Sequence, residues 1–145
     1  MNITNKMLLM SIKPEYMQKI LTGEKTIELR RTRPNVAEGD LIIFYASSPM
    51  KAILGAAMVV TVVTGAPGAI WRKYKRELGI TKSVYDVYYS CSVKAYGIIL
   101  DKIWEYESPV SLEKIREFWE GFVPPQSYRY LSKEEFKLVS SLNKG

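Results

Sequence analysis

The 145-residue chain is 47% hydrophobic and 25% charged, which supplies one real core and excludes a disordered chain. One cysteine and no histidine exclude an internal disulfide framework, a His/Cys zinc site, and the Ser-His-Asp and Cys-His catalytic arrangements. With 21 Lys and Arg against 15 Asp and Glu, the net charge of +6 favours anionic partners through steering and counterion release.

Met7–Lys13 reads as a first strand, apolar on both faces and therefore central in its sheet. Pro14 suits the first turn of a helix. Tyr16, Met17, Ile20 and Leu21 recur at helical spacing, so Pro14–Leu21 covers one side of the sheet, and Gly23 ends it. A strand over Lys25–Arg31 follows. Side chains alternate along a strand, so Ile27 and Leu29 share a core-facing side while Thr26, Glu28 and Arg30 share the other. Glu28 and Arg30 then project together, close enough to pair. On a solvated face such a pair is common and weak. Here Lys25 stands at the strand start, and Arg31 and Arg33 follow before Pro34.

Thr32–Gly39 reads as a loop. Asp40–Ala46 is a strand with Leu41, Ile43 and Tyr45 on one face and Ile42 and Phe44 on the other. Ser47-Ser48-Pro49 makes a turn. Lys51–Val63 is the next strand, with Gly55 and Ala56-Ala57 marking a bulge or a close backbone approach. Its apolar run, Ala52–Val63, falls short of the roughly 18 residues that span a bilayer, so it reads as a buried strand and no membrane is expected. The N-terminus lacks the apolar stretch and cleavage site of a signal peptide, so a cytoplasmic location is expected.

Thr64–Gly68 reads as a linker. Ala69–Leu78 has Ile70, Trp71, Tyr74 and Leu78 on one helical face and Arg72, Lys73, Lys75 and Arg76 on the rest. Thr81 caps a second helix carrying Val84, Tyr85, Tyr88 and Tyr89. Together they form a helical insertion at about 67–92. Cys91 is expected to be a passive small hydrophobe. Lys94–Glu107 is the last long strand. Ser111 caps Leu112–Trp119, Gly121–Tyr130 is irregular, and Ser132 with Glu135 forms a capping box for a final helix that turns Phe136, Val139 and Leu142 inward. One domain over 1–145 is expected, in the α+β class, as a small mixed β-barrel decorated by short helices.

Three groups of residues carry candidate binding chemistry. The first is Lys25, Glu28 and Arg30, with Arg31 beside them. The second is Tyr45, Ser47, Ser48 and Lys51, where the hydroxyls suit a phosphate or a base edge and the lysine suits a phosphate. Turns often look like this without any ligand. The third is Gln126, Ser127, Tyr128 and Arg129, followed by Tyr130 and held by Pro124-Pro125. Arg beside Tyr suits base stacking, or the segment simply closes the end of the barrel. The basic helix Arg72–Arg76 is either a solvated face or a phosphate contact. No metal is expected.

Gly23, Lys25, Glu28 and Arg30 stand in the pattern G-x-K-x-x-E-x-R, which resembles the signature of ASCH domains in the PUA-like β-barrel superfamily. The first strand, the helix before Gly23, Gly39-Asp40 and Tyr45-Ala46-Ser47-Ser48-Pro49 fall in the family's order. Pro124–Leu131 resembles a tail found in a prokaryotic subgroup regarded as transcriptional regulators. The resemblance implies a cleft between barrel and first helix, lined by Lys25, Glu28 and Arg30, with the Ser47 turn near its mouth. It implies nucleic acid, RNA favoured over DNA, or a nucleotide-like ligand as partner, and no cofactor. Glu28 would accept from a base amino group while Arg30 and Lys25 meet phosphate or carbonyl. Some ASCH-like proteins are amidohydrolases of acetylated cytidine and others ribonucleases. The amidohydrolases use a Lys, a Thr three residues later and a distant Glu. Lys25 matches the Lys, but the position three later is Glu28, and Thr26 has the wrong parity to replace it. This departure counts against amidase activity. A ribonuclease without His would draw on Lys, Arg, Glu or Tyr, with Lys25 as the catalytic base. No helix-turn-helix of convincing length is present.

Overall fold

The computed structural model describes residues 5–143. Six strands form one sheet: β1 (Met7–Ile12), β2 (Ile27–Arg30), β3 (Leu41–Ala46), β4 (Ala52–Gly65), β5 (Ala95–Ser111) and β6 (Tyr128–Tyr130). Their order is β2-β5-β4-β3-β1-β6, with β1 and β3 parallel and the other neighbours antiparallel. The sheet curls into a half-barrel carrying five short helices: α1 (Pro14–Thr22), α2 (Pro67–Tyr74), α3 (Lys82–Tyr88), α4 (Leu112–Phe118) and α5 (Lys133–Leu142). The expected α+β class and mixed barrel are thus found. β2 and β6 end the sheet and do not pair with each other, so the barrel stays open along that seam.

Local chemistry explains most element boundaries. Pro14 opens α1, and Gly23 closes it at φ 86°, a left-handed conformation that costs glycine nothing. Gly55 lets β5 cross β4 closely, since a Cβ there would sit 2.5 Å from the Trp104 carbonyl oxygen. The β4–β5 register shifts on either side of it, as the bulge expectation requires. β4 runs on to Gly65 and α2 starts at Pro67, so the expected linker shrinks to Ala66. Leu78 lies beyond α2, which ends at Tyr74 and tightens into a 3₁₀ turn over Lys75–Glu77. β5 extends past Glu107 to Ser111 and contains Pro109. Proline is tolerated there because β2 pairs only with Tyr96–Ile99, which leaves that side of the strand without a ladder partner. The segment expected to be irregular contains β6, which pairs with Leu8–Met10. Cys91 is exposed instead of packed.

Alternation along the strands sorts the apolar residues into separate cores. Leu8, Met10, Ile42, Phe44 and Ile98 pack with Met17 and Ile20 of α1. The opposite face turns Leu9, Ile43, Tyr45 and Ile53 toward Ile115 of α4 and Val139 of α5. A third core joins Ile27 and Leu29 of β2 to Ile70, Leu78, Tyr85 and Tyr89 from the segment between β4 and β5. Ile27 and Leu29 therefore face a core as expected, and that core is built by α2 and α3. No helix among the described residues is long and apolar enough to cross a membrane.

Candidate functional site

β2 is an edge strand held on its outer side by α3. The Tyr88 and Tyr89 hydroxyls donate to the backbone carbonyls of Leu29 and Arg30 at 3.4 and 3.0 Å. With Ile27 and Leu29 turned into the third core, Glu28 and Arg30 turn the other way, toward the seam of the half-barrel. There a cleft of about 310 Å³ opens between α1, β2 and α3. Tyr16, Tyr88, Ile80, Val84 and Val87 form its walls, Ser11, Ile12 and Lys13 its β1 side, and Lys25, Glu28 and Arg30 its floor.

Lys25 precedes β2 instead of starting it, so strand alternation does not govern its direction. Its side chain is 2% exposed, because Leu78–Ile80 folds over it. Gly79 makes this possible at φ 61°: a Cβ there would lie 2.7 Å from the Lys25 Cβ. Lys25 Nζ donates to the Leu78 carbonyl at 2.7 Å, sits 3.8 Å from Glu28 Oε1 and lies 5.2 Å from the Tyr16 ring centre. Burial lowers the ammonium pKa below its ordinary 10.5, and the neighbouring Glu28 offsets this only in part. Glu28 is itself buried and meets Arg30 Nη2 through Oε2 at 2.9 Å. The pair expected on a strand face is thus a buried one.

Arg30 spans the open seam. Its Nη1 donates to Ser127 Oγ at 3.0 Å and its Nη2 to the Ser11 carbonyl at 3.3 Å, while its Nε is buried with no hydrogen-bond partner. Ser11 Oγ donates in turn to the Pro125 carbonyl at 2.6 Å. The chain just before β6 is therefore tied to the cleft floor through Ser127. Arg31 is exposed on the rim with its guanidinium 4.7 Å from the Tyr88 ring centre. Burial raises the Tyr16 and Tyr88 pKa values, so both phenols stay neutral at pH 7.

The other candidate residues are distributed differently. Tyr45 lies 3% exposed in the second core, on the opposite sheet face, and does not reach the cleft. Ser47 donates its backbone N–H to the Ile12 carbonyl at 2.9 Å, which puts the Ser47–Lys51 turn beside the Lys13 rim without lining the cleft. Ser48 and Lys51 are exposed there. Gln126 is exposed. The Tyr128 hydroxyl accepts from the Asn35 N–H at 3.2 Å, and its ring packs on the first core. Arg129 points away: Nη2 meets both Glu135 oxygens at 2.9 and 2.8 Å, and the guanidinium lies 4.8 Å from the Trp119 ring centre. Arg72, Lys73, Lys75 and Arg76 are all exposed. Tyr16, Tyr88, Ile80, Val84 and Val87 were absent from the sequence candidates. Helical spacing assigns Tyr16 to the sheet-covering face of the first helix and Val84 and Tyr88 to the second helix of the insertion, while Ile80 and Val87 belong to neither pattern, and the approach of α3 to α1 turns all five into cleft walls. Among the described residues no group of His, Cys, Asp and Glu has the makings of a metal site.

The model of the ASCH domain family matches residues 10–125. An ASCH domain-containing ribonuclease from Zymomonas mobilis subsp. mobilis is 33% identical over 137 residues, which is 94% of this chain and 92% of that protein. The crystal structure of ASCH from Zymomonas mobilis superposes with a TM-score of 0.89 at 33% identity, covering 94% of this chain and 95% of that one. Human THYN1, solved in complex with 5-methylcytosine-containing DNA, shares the fold at a TM-score of 0.64 and 14% identity, covering 97% and 99% of the two chains.

Proposed function

Because the chain belongs to the ASCH domain family, we propose that it binds nucleic acid by taking one unpaired nucleotide, in RNA before DNA, into the cleft floored by Lys25, Glu28 and Arg30. The observation that carries this reading is a buried ion cluster left open to a guest. The cleft of about 310 Å³ has room for a base, two tyrosine rings and three aliphatic side chains wall it, Arg30 Nε is buried with no hydrogen-bond partner, and Glu28 Oε1 stands 3.8 Å from Lys25 Nζ, beyond hydrogen-bond reach. A purely structural ion-pair network would be expected to satisfy its own polar groups. Unstacked bases are held by this combination of aromatic walls and a polar floor. Arg31 on one rim, and Lys13 with the Ser47, Ser48 and Lys51 turn on the other, supply phosphate contacts. Ser127 meets the floor through its bond to Arg30. RNA is favoured because the Zymomonas relative is a ribonuclease. A module that binds without cutting would suit a regulator of transcripts.

The test is fluorescence anisotropy with short single-stranded RNA and DNA at two salt concentrations. Lys25→Met and Glu28→Gln are measured beside the wild type. Salt-sensitive RNA binding that falls in both variants is expected. Wild-type-like binding in both would overturn the placement of the nucleotide.

Cleavage is the second reading, favoured by the ribonuclease relative and by the lowered basicity of Lys25, which suits an amine that takes a proton. Mass analysis of the same RNAs after incubation decides it. Shortened products that require Lys25 support cleavage, and intact RNA leaves a binding module.

A further inference from the structure

The cleft floor has an internal order that holding a nucleotide does not by itself require. Glu28 lies between two cations, with Oε1 3.8 Å from Lys25 Nζ and Oε2 2.9 Å from Arg30 Nη2. A separation of 3.8 Å is beyond hydrogen-bond reach, so Oε1 keeps its lone pairs for another donor. A carboxylate only accepts, whereas an ammonium and a guanidinium only donate. Lys25 spends one of its three hydrogens on the Leu78 carbonyl. Arg30 spends three of its four Nη hydrogens, two of Nη2 on Glu28 and Ser11 and one of Nη1 on Ser127, which leaves the second Nη1 hydrogen to donate, while its Nε is buried without a partner. From Lys25 through Glu28 to Arg30 the floor therefore reads donor, acceptor, donor.

We infer that the cleft selects a uracil-type ring. The complement of this floor is acceptor, donor, acceptor, and uracil presents that order along one edge as carbonyl, N–H, carbonyl. The inference rests on the nucleotide-binding reading above. Cytosine places a ring-nitrogen lone pair where uracil has its N–H, so it would set acceptor against Glu28 and an amino group against a cation. Adenine repeats both faults. Guanine offers one carbonyl followed by two donors in a row, so its amino group meets a cation. The apolar walls contribute to stacking but do not discriminate, because every base has a π-face. Selection comes from the floor, where a mismatched polar group is buried without a partner.

The experiment uses the full chain and adenosine-flanked RNA heptamers with U, C, A, G or 3-methyluridine at the centre, at one fixed salt concentration. U is expected to bind about 10- to 100-fold more tightly than C, and 3-methyluridine to fall to the level of C. Glu28→Gln, with its fold checked by circular dichroism, offers an amide N–H to the cytosine ring nitrogen and is expected to bring the U-to-C ratio close to one. The wild-type series stands even if that variant does not fold. Equal binding of U and C, or of uridine and 3-methyluridine, with RNA affinity intact overturns base selection and leaves nucleotide binding in place. No binding of any heptamer overturns both.

Discussion

Two Arg–Glu pairs, one joining β6 to α5 and one within β2, differ in what they leave over. Arg129 and Glu135 sit side by side at the surface. Their side chains are 38% and 31% exposed, and Arg129 Nη2 meets both carboxylate oxygens. Glu135 also accepts the Ser132 N–H, which completes the capping box of α5, and Arg129 lies against Trp119. Both carboxylate oxygens of that pair are spent, and it acts as a clip. Arg30 and Glu28 are 15% and 9% exposed, yet Nε of the arginine is buried without a hydrogen-bond partner, and Oε1 of the glutamate lies 3.8 Å from the Lys25 ammonium. In water an unspent donor or acceptor costs little. Buried, it costs about 1–3 kcal/mol, so a fold tolerates it where something else completes it. Residue type and pairing are the same at both places, and burial with unspent hydrogen-bonding capacity is what makes the second the candidate site.

The largest test of this contrast removes the Glu28 carboxylate. Glu28→Ala strands Lys25 and Arg30 as buried cations and is expected to cost about 3–5 kcal/mol in a urea titration. A loss below about 1 kcal/mol would mean that the cluster is as screened as a surface pair. Next comes the cover over Lys25. Gly79→Ala places a Cβ 2.7 Å from the Lys25 Cβ at φ 61°, and a loss of about 1–3 kcal/mol is expected in the same titration.

A pH titration sharpens the comparison without damaging the fold. Burial lowers the folded Lys25 pKa while the unfolded chain keeps 10.5. Between those two values the unfolded state binds more protons, so the Lys25 contribution to stability rises with pH. Lys25→Met removes the group, so the variant's stability advantage over the wild type should shrink as pH rises toward 10. RNA affinity of the wild type should fall over the same window as the ammonium is lost. The window is kept below pH 10 because the buried phenols Tyr85, raised to about 12, and Tyr89 act with the opposite sign above it. A stability difference independent of pH would show that Lys25 is no harder to charge in the fold than in water.

The smallest effect is expected at the clip. Arg129→Ala should cost less than about 1 kcal/mol and leave RNA binding unchanged, as measured by the same titration and anisotropy. A binding loss matching that of Glu28→Gln would show that the two pairs act as one surface.

Much of the local structure was legible in the residues alone. Pro14 and Gly23 bound α1, Gly55 bends β4, Ser132 with Glu135 caps α5, and alternation assigned Leu41, Ile43 and Tyr45 to one face of β3. Each depends on neighbours within a few positions, where spacing dictates geometry. The G-x-K-x-x-E-x-R pattern likewise brought Lys25, Glu28 and Arg30 together correctly, because all three fall within six residues of one strand and its approach. What the sequence could not decide was which distant segments close over that strand. Leu78–Ile80 buries Lys25, Tyr16 and Tyr88 meet across the cleft from α1 and α3, and Ser127 reaches Arg30 across 97 positions. Those contacts depend on how the half-barrel curls and where its seam falls. Tyr45 and Arg129 were equally plausible ligands by residue type, and the tertiary structure put one in the opposite core and the other in a helix cap. Side-chain chemistry is written locally, while burial, which turns an ordinary ion pair into a candidate site, belongs to the whole fold.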